Sequence, residues 1–231
     1  MLFSRPPFSS PSASSQSGLT RVELLFLVGI VLVLVAIAFG PVIDYLTNGR
    51  VTRAVQSAHT LDVLLSQYAT DNNGVYPVGE GTSNIGTSKG IAQNLLENNF
   101  TPDASIFAVG STVKYQGTGE DYSKIAAANI SWDFTGGSTA LTGITSAAPD
   151  LLPIVFTTGE SVAYSTTAGT GLDLTLSGNG PFGKEGVVVA YKNNSAKFIL
   201  GVVSGPTVKC PGFISPEFKD AGPYTQIKPS R

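Results

Sequence analysis

The feature that most constrains the fold of this chain is a run of twenty uncharged positions, residues 24–43, that follows directly after Glu23. A bilayer core of about 30 Å requires about 20 apolar helical residues, so the run has the length of a membrane-spanning helix. The h-region of a secretory signal is shorter, at about 7 to 15 residues. We therefore predict a transmembrane helix. The alternative, a buried helix of a soluble protein, is disfavoured because such helices are rarely apolar on every face.

A short leader rich in serine precedes the run and ends at Gly18. A secretory signal peptide carries its cleavage site on the far side of its apolar segment, whereas Gly18 lies before the run. This order predicts that residues 1–18 are a leader peptide that is removed and that the helix is retained. The mature chain would then begin at Leu19, ahead of the Glu23 carboxylate.

After residue 49 the pattern changes from apolar on all faces to apolar on one face. The apolar residues recur at helical spacings, with polar residues between them, at Val51, Ala54, Val55, Ala58, Leu61, Leu65 and Tyr68. This spacing is typical of an amphipathic helix. We therefore predict one long amino-terminal helix, with a hydrophobic transmembrane and assembly half over residues 19–47 and an amphipathic continuation over residues 48–74.

Two short sequences are expected to bend or end this helix. Gly40 and Pro41 predict a kink, because proline removes a backbone donor and clashes with the preceding turn. Residues 71–74, Asp-Asn-Asn-Gly, predict the carboxyl end, because Asn and Gly readily adopt left-handed conformations.

Residues 75–231 are predicted to form an extracytoplasmic globular domain, which makes the whole chain α+β. A short helix is expected over residues 88–98, and strands are expected over residues 129–134, 152–157, 186–191 and 196–203. A small antiparallel sheet of these strands would bury its apolar face against the amphipathic half of the long helix. The stretch from residue 159 to residue 183 is rich in Gly, Thr and Ser and is expected to be a surface loop.

The composition argues against catalysis and against nucleic-acid binding. The net charge is −2, and the sequence has no basic stripe of the kind that binds nucleic acid. Cys210 is the only cysteine, which excludes zinc sites with two or more cysteines. His59 is the only histidine, and its helical context disfavours a Ser-His-Asp triad. We therefore expect a structural protein and not an enzyme.

Gly18 followed by residues 19–25, Leu-Thr-Arg-Val-Glu-Leu-Leu, and by a hydrophobic helix resembles the type IV prepilin signal. That signal is shared by type IV pilins and by the pseudopilins of type II secretion systems. Residues 68–77, Tyr-Ala-Thr-Asp-Asn-Asn-Gly-Val-Tyr-Pro, are similar to the exit from the long helix in major pseudopilins of the G type. Together these segments extend the resemblance over about the first 80 residues, with a looser likeness over the rest, and the fold that it implies is pilin-like.

The resemblance implies a maturation and assembly pathway. A membrane prepilin peptidase would cleave between Gly18 and Leu19 and methylate the new amine of Leu19. An inner-membrane assembly platform, driven by a cytoplasmic ATPase, would then lift the subunits into a helical homopolymer. The chain would cross the inner membrane once before assembly and would afterwards stand in a periplasmic pseudopilus or a cell-surface pilus.

Glu23 is the residue expected to set the register of such a filament. A carboxylate within a membrane helix costs about 2.5 to 3.5 kcal/mol at the bilayer centre, and an opposite charge offsets that cost. In a stack of staggered helices, Glu23 of one subunit can meet the Leu19 amine of its neighbour. Two alternatives stay open, namely a helix-terminal charge that complements the dipole and a local ion pair with Arg21.

Further expectations concern ligands and rival functions. Pseudopilins of the G type often hold calcium, and Asp150, Glu160 and Asp173 stand in predicted loops, but their spacing fits no calcium motif, so no ligands are assigned. No other metal and no cofactor is expected. The main alternative function is a membrane-tethered minor pilin, an adhesin-like binding module outside the bulk filament. An anchored hydrolase is disfavoured because the sequence shows neither a nucleophile elbow nor a phosphate loop.

Overall fold

The computed structural model describes residues 20–79, 84–115, 122–164, 169–220 and 222–229, and for residues 36–47 it describes the backbone alone. The chain divides into two compact units, Met1–Leu46 and Thr47–Arg231. Helix α1 comprises Arg21–Asp71, so it begins in the first unit and ends in the second. The other described helices and strands belong to the second unit.

Within the described residues, the second unit contains one further α-helix, three short 3-10 helices and eight strands. Helix α2 is Ser88–Glu97, and the 3-10 helices are Ala104–Phe107, Tyr122–Lys124 and Ala127–Asn129. The strands are β1 (Trp132–Gly136), β2 (Pro153–Thr157), β3 (Leu172–Leu176), β4 (Gly186–Tyr191), β5 (Ser195–Leu200), β6 (Val202–Ser204), β7 (Thr207–Ile214) and β8 (Thr225–Ile227). They form two antiparallel sheets, one in the order β5-β4-β2-β1-β8 and one in the order β3-β7-β6.

The five-stranded sheet is packed on both faces. Side chains alternate between the faces along a strand, so Trp132 of β1 points to one face, and Asp133 shares the other with its β2 partner Phe156. Trp132 donates its indole N–H to the Ile106 carbonyl at 2.8 Å. On the opposite face, the Phe156 ring packs edge-on against Phe213 of β7, with the ring centroids 5.3 Å apart. The inner strands are therefore buried on both sides.

The amphipathic part of α1 buries one face in the core of the second unit. Its buried apolar side chains recur every three or four residues, at Ala54, Ala58, Leu61, Leu65 and Ala69. The helix ends at Asp71, and the Gly74 N–H donates to the Ala69 carbonyl at 2.7 Å. Asn73 and Gly74 both have positive φ, which closes the helix in the manner of a Schellman motif.

The predicted fold class is wrong in two respects. It placed a transmembrane helix over residues 19–47, whereas none of the helices in the described part of the chain is both long enough and apolar enough to cross a bilayer. It also placed the strands in one small sheet, whereas they form a five-stranded and a three-stranded sheet.

The second sheet was not predicted because two stretches of sequence adopt structures other than those that their residues predict. Strand β3 lies within residues 159–183, where Gly, Thr and Ser predict a loop. The strand predicted over residues 196–203 divides at Gly201 into β5 and β6, which join different sheets. The Gly201 N–H donates to the Glu185 carbonyl at 2.8 Å. A Cβ at Gly201 would lie 2.5 Å from the Lys184 carbonyl oxygen, so the chain changes sheets at a residue without a side chain.

Asp62 of α1 is a buried carboxylate whose two oxygens have no hydrogen-bond partner among the described residues. The residue is 1% exposed. Burial raises the pKa of Asp62 to about 6, and the charges of His59 and Lys192 act in the opposite direction. Lys192 is itself paired with Asp150, at 3.3 Å between Nζ and Oδ1. At neutral pH, Asp62 therefore carries its charge in surroundings that disfavour it.

We expect Asp62→Asn to raise the free energy of unfolding at neutral pH. The folded-state pKa lies above the ordinary value of 3.8, so the native state binds the proton more tightly, and stability falls as the pH rises through the interval between the two values. The gain at about pH 7 should be roughly 1 to 3 kcal/mol, with little gain at about pH 4. Urea unfolding at both pH values measures it, with the exposed Glu97→Gln as control. Equal stability of Asp62→Asn and the parent protein at both pH values would contradict this expectation.

Candidate functional site

Thr20 and Glu23 cap the start of α1 reciprocally. The Glu23 N–H donates to Thr20 Oγ1 at 3.3 Å, and the Thr20 N–H donates to Glu23 Oε2 at 2.8 Å. The Thr20 hydroxyl also donates to Glu23 Oε2, at 3.0 Å. The Leu24 N–H then makes the first helical bond, to the Thr20 carbonyl at 3.0 Å. This arrangement is a capping box, which satisfies backbone donors that a helix start otherwise leaves free.

The Glu23 carboxylate is exposed, and its surroundings favour the charged form. The hydrogen bonds from the Thr20 N–H and then from the Thr20 hydroxyl lower the pKa of Glu23. The helix dipole also favours a negative charge in the first turn. The local partner of Glu23 is Thr20 and not Arg21, and both of the hydrogen bonds from Thr20 end on Oε2. The described residues supply no hydrogen bond to Oε1, so the carboxylate keeps capacity for a further partner.

Beyond this cap, the surface of α1 is apolar on all sides. Every large apolar side chain between residues 22 and 35 is at least 43% exposed, although Leu, Val, Ile and Phe are normally buried. Successive helical residues point about 100° apart, so fourteen consecutive positions with Glu23 as the only acid leave no polar face. In proteins generally, large exposed apolar surfaces mark contacts with other proteins or with membranes, or ligand-binding grooves.

The structure describes only some of the predicted site residues. Glu23 lies in the first turn beside Thr20, a partner that the sequence reasoning missed although the Thr-x-x-Glu spacing signals a capping box. Gly18 and Leu19 lie outside the described residues, so cleavage and methylation there stay predictions. Gly40 and Pro41 belong to α1, which is assigned without a break through them, and the kink stays a prediction because their side chains are not described.

The three acids considered for calcium each have separate partners. Asp150 pairs with Lys192, Glu160 accepts hydrogen bonds from two backbone N–H groups, and Asp173 accepts one. Among the residues that the structure describes, no three His, Cys, Asp or Glu side chains come together in a way that could hold a metal ion. A calcium site therefore stays a prediction without ligands.

The single cysteine and the single histidine have different surroundings. Cys210 is buried in β7, where its thiol donates to the Ile199 carbonyl at 3.3 Å. Burial raises the pKa of the Cys210 thiol to about 11, so it is protonated at neutral pH and a poor nucleophile. The buried, protonated thiol of Cys210 therefore lacks the surroundings that activate a nucleophile. His59 is exposed on α1.

Comparison with known proteins adds no relative to these observations. The chain matches no protein-family model, no curated protein and no solved structure. The features that point to a function are therefore the chain's own residues and geometry, above all the capped, apolar start of α1.

Thr20→Val is expected to loosen the first turn of α1. The variant removes the hydroxyl that accepts the Glu23 N–H, and the loss of an N-cap costs about 1 kcal/mol. Amide hydrogen exchange at Glu23 and Leu24 should accelerate by roughly fivefold, as measured by NMR or mass spectrometry. Thr52→Val, an exposed threonine in the same helix, is the control and should leave these amides unchanged. Unchanged exchange in Thr20→Val would show that the cap does not hold the first turn.

Proposed function

We propose that this chain is a structural subunit that polymerises through the start of α1 into a type IV pilus or a type II secretion pseudopilus. The observation that carries the proposal is the exposed apolar surface of residues 22–35, with Glu23 as its single acid at the amino-terminal end. Identical copies placed side by side would give each such surface an apolar partner and remove it from water.

The hydrophobic effect supplies the driving force in this proposal. Each Å² of apolar surface removed from water contributes about 25 cal/mol. Because residues 22–35 are apolar on every side, one helix can contact several neighbours at once, as a subunit inside a helical filament must. Apolar contact is non-directional, however, so it does not by itself fix the axial position of one subunit against the next.

Glu23 supplies the directional contact. Its Oε2 is engaged by Thr20, and Oε1 is available to a neighbour. After cleavage between Gly18 and Leu19, the amine of Leu19 in a neighbouring subunit would pair with this carboxylate. In this pair each charge would offset the cost of placing the other among apolar side chains. The pair would form at one axial offset only.

The proposed pathway requires several partners besides further copies of the chain. A prepilin peptidase would remove residues 1–18 and methylate Leu19. An assembly platform and its ATPase would then add subunits to a filament in the periplasm or on the cell surface. The support for these partners is the resemblance of residues 18–25 and 68–77 to prepilin sequences.

A minor, ligand-binding subunit is the second candidate, and one feature of the globular unit favours it. A cavity of about 940 Å³ opens beside the start of α2 and is lined by apolar, hydroxyl and charged side chains, among them Lys89, Glu160 and Lys228. Small-molecule sites typically have volumes of about 300 to 1,000 Å³. Copy number separates the two candidates, because a bulk subunit dominates sheared filaments and a minor subunit does not.

Glu23→Gln is expected to prevent filament assembly while the helix cap stays in place. Glutamine can accept the Thr20 N–H as glutamate does, so the variant removes the charge and keeps the capping box. We expect sheared filaments, counted by immunoblot and electron microscopy, to fall by about tenfold or more, because a loss of about 1.4 kcal/mol at each contact weakens the addition of each subunit about tenfold.

The controls for this experiment separate charge from helix capping. Glu97→Gln neutralises an exposed acid at the end of α2 and should assemble normally. Thr20→Val weakens the cap while Glu23 keeps its charge, and it should reduce assembly less than Glu23→Gln does. Normal filaments from Glu23→Gln, with normal protein levels, would overturn the role of the charge.

The mature protein is expected to begin at Leu19 and to carry one additional methyl group on its amine. Gly18→Asp should block this step, because a charged side chain replaces a hydrogen atom next to the bond that is cut. Intact-mass and amino-terminal analysis of purified filaments measures both outcomes, with Ser17→Ala as the control. Filaments whose subunits still begin at Met1 would contradict the proposed maturation.

A further inference from the structure

A second cavity, of about 460 Å³, lies between α1 and the segment of residues 101–114. We call it the basic groove, and both of its walls belong to the unit Thr47–Arg231. The lining residues on α1 recur on one side of the helix, at Arg50, Arg53, Ala54, Gln56, Ser57 and Thr60. The groove therefore follows the helix from Arg50 to Thr60, which is about 15 Å at 1.5 Å per residue.

Three cationic side chains line the basic groove. Arg50 and Arg53 stand one turn apart on α1, and Lys114 stands on the opposite wall. No ion pair is found for these three side chains within the residues that the structure describes. The chain as a whole has a net charge of −2, so this concentration of positive charge is local. A site with cations on both walls attracts an anionic ligand.

The remaining polar side chains of the groove are neutral hydroxyls, the neutral amide of Gln56 and one acid. Hydroxyl groups are supplied by both walls, at Ser57, Thr60, Thr101, Ser105 and Thr112. The acid is Asp103, whose Oδ1 accepts the Ser105 N–H at 2.8 Å and caps the 3-10 helix Ala104–Phe107. Asp103 thus has a structural role, and its charge opposes a ligand with closely spaced negative groups.

We propose that the basic groove binds a short acidic segment of a partner protein, extended along α1, with two or more carboxylates. Arg50 and Arg53 would each hold a carboxylate through a two-pronged hydrogen bond, and Lys114 would contact the segment from the other side. An extended segment of about four or five residues spans the 15 Å of the groove. The hydroxyls would form hydrogen bonds with the backbone of the segment. This site is independent of the apolar surface of residues 22–35, and so of the function proposed above.

The lining favours a peptide over other anions. The aromatic side chains on which nucleotide bases stack do not occur among the lining residues described here, and Asp103 would repel a dense phosphate chain. A single inorganic anion would engage only part of a groove whose cations are spread over two walls. Carboxylates separated by neutral backbone match the spacing of Arg50 and Arg53 and can keep away from Asp103.

A peptide-binding measurement tests this proposal. The full-length chain in detergent micelles is titrated against a fluorescein-labelled hexaglutamate peptide, and binding is followed by fluorescence anisotropy. We expect saturable binding that weakens with added salt. Arg53→Glu should weaken it by about tenfold or more and Arg50→Glu similarly, since each replaces an attractive contact with a repulsive one. Arg53→Gln should have a smaller effect.

The controls distinguish the groove from general attraction of anions. Lys219→Glu changes an exposed cation outside the groove and should bind as the parent protein does, whereas hexaglutamine should not bind. Circular dichroism checks that each variant is folded, which is expected because Arg50 and Arg53 are exposed. The proposal is overturned if hexaglutamate does not bind, or if Lys219→Glu weakens binding as much as Arg53→Glu. It is also overturned if inorganic phosphate or an RNA oligomer displaces the peptide at equal charge concentration.

Discussion

The burial of both faces of the five-stranded sheet is the constraint on which the globular unit depends. A sheet with two apolar faces needs cover on both, and Trp132 and Phe156 point to opposite sides, each with its own partner. The same sheet fixes the surface around it. The Ser131 N–H donates to the Phe107 carbonyl, and the Val109 N–H donates to Ser131 Oγ, both at 2.8 Å. These bonds tie residues 101–114, one wall of the basic groove, to Ser131 just before the start of β1.

Helix α1 carries two kinds of surface, and the difference between them locates the proposed function. Over residues 54–69 one side of the helix is apolar and buried in the core, for example at Ala58, Leu61 and Leu65, so this side is satisfied within the protomer. Over residues 22–35 the apolar side chains are larger, point in every direction and are exposed. No polar face separates them from water there, which makes contact with other apolar surface the favourable outcome. Asp62 is the exception in the buried stretch, because its buried charge lowers the stability that the packing of its neighbours provides.

The sequence predicts those parts of the fold in which local pattern and tertiary packing agree. The strands predicted over residues 152–157 and 186–191 correspond to β2 and β4, because apolar runs of that length are fully buried strands. Strand β8 pairs with β1 from far along the chain, and no local pattern announces it in a segment rich in proline. The exchange of sheets at Gly201 also depends on distant partners. The basic groove could not be predicted from the sequence for the same reason, because Arg53 and Lys114 come to line one cavity only in the folded chain.

The capping box changes how Glu23 should be understood. A charge at a helix start and a charge that pairs with a neighbour are competing interpretations of the sequence, but the two roles need not compete for one atom, since the cap uses only Oε2. Thr20 engages Oε2 and holds the carboxylate at one position, so a partner at Oε1 would meet a group whose rotamer is already fixed. In the proposed filament less side-chain entropy would then be lost on pairing, which would strengthen the contact proposed to set the register. In the proposed filament the cap would therefore prepare Glu23 for assembly, and Thr20 would act as a positioning residue for the filament as well as for the helix.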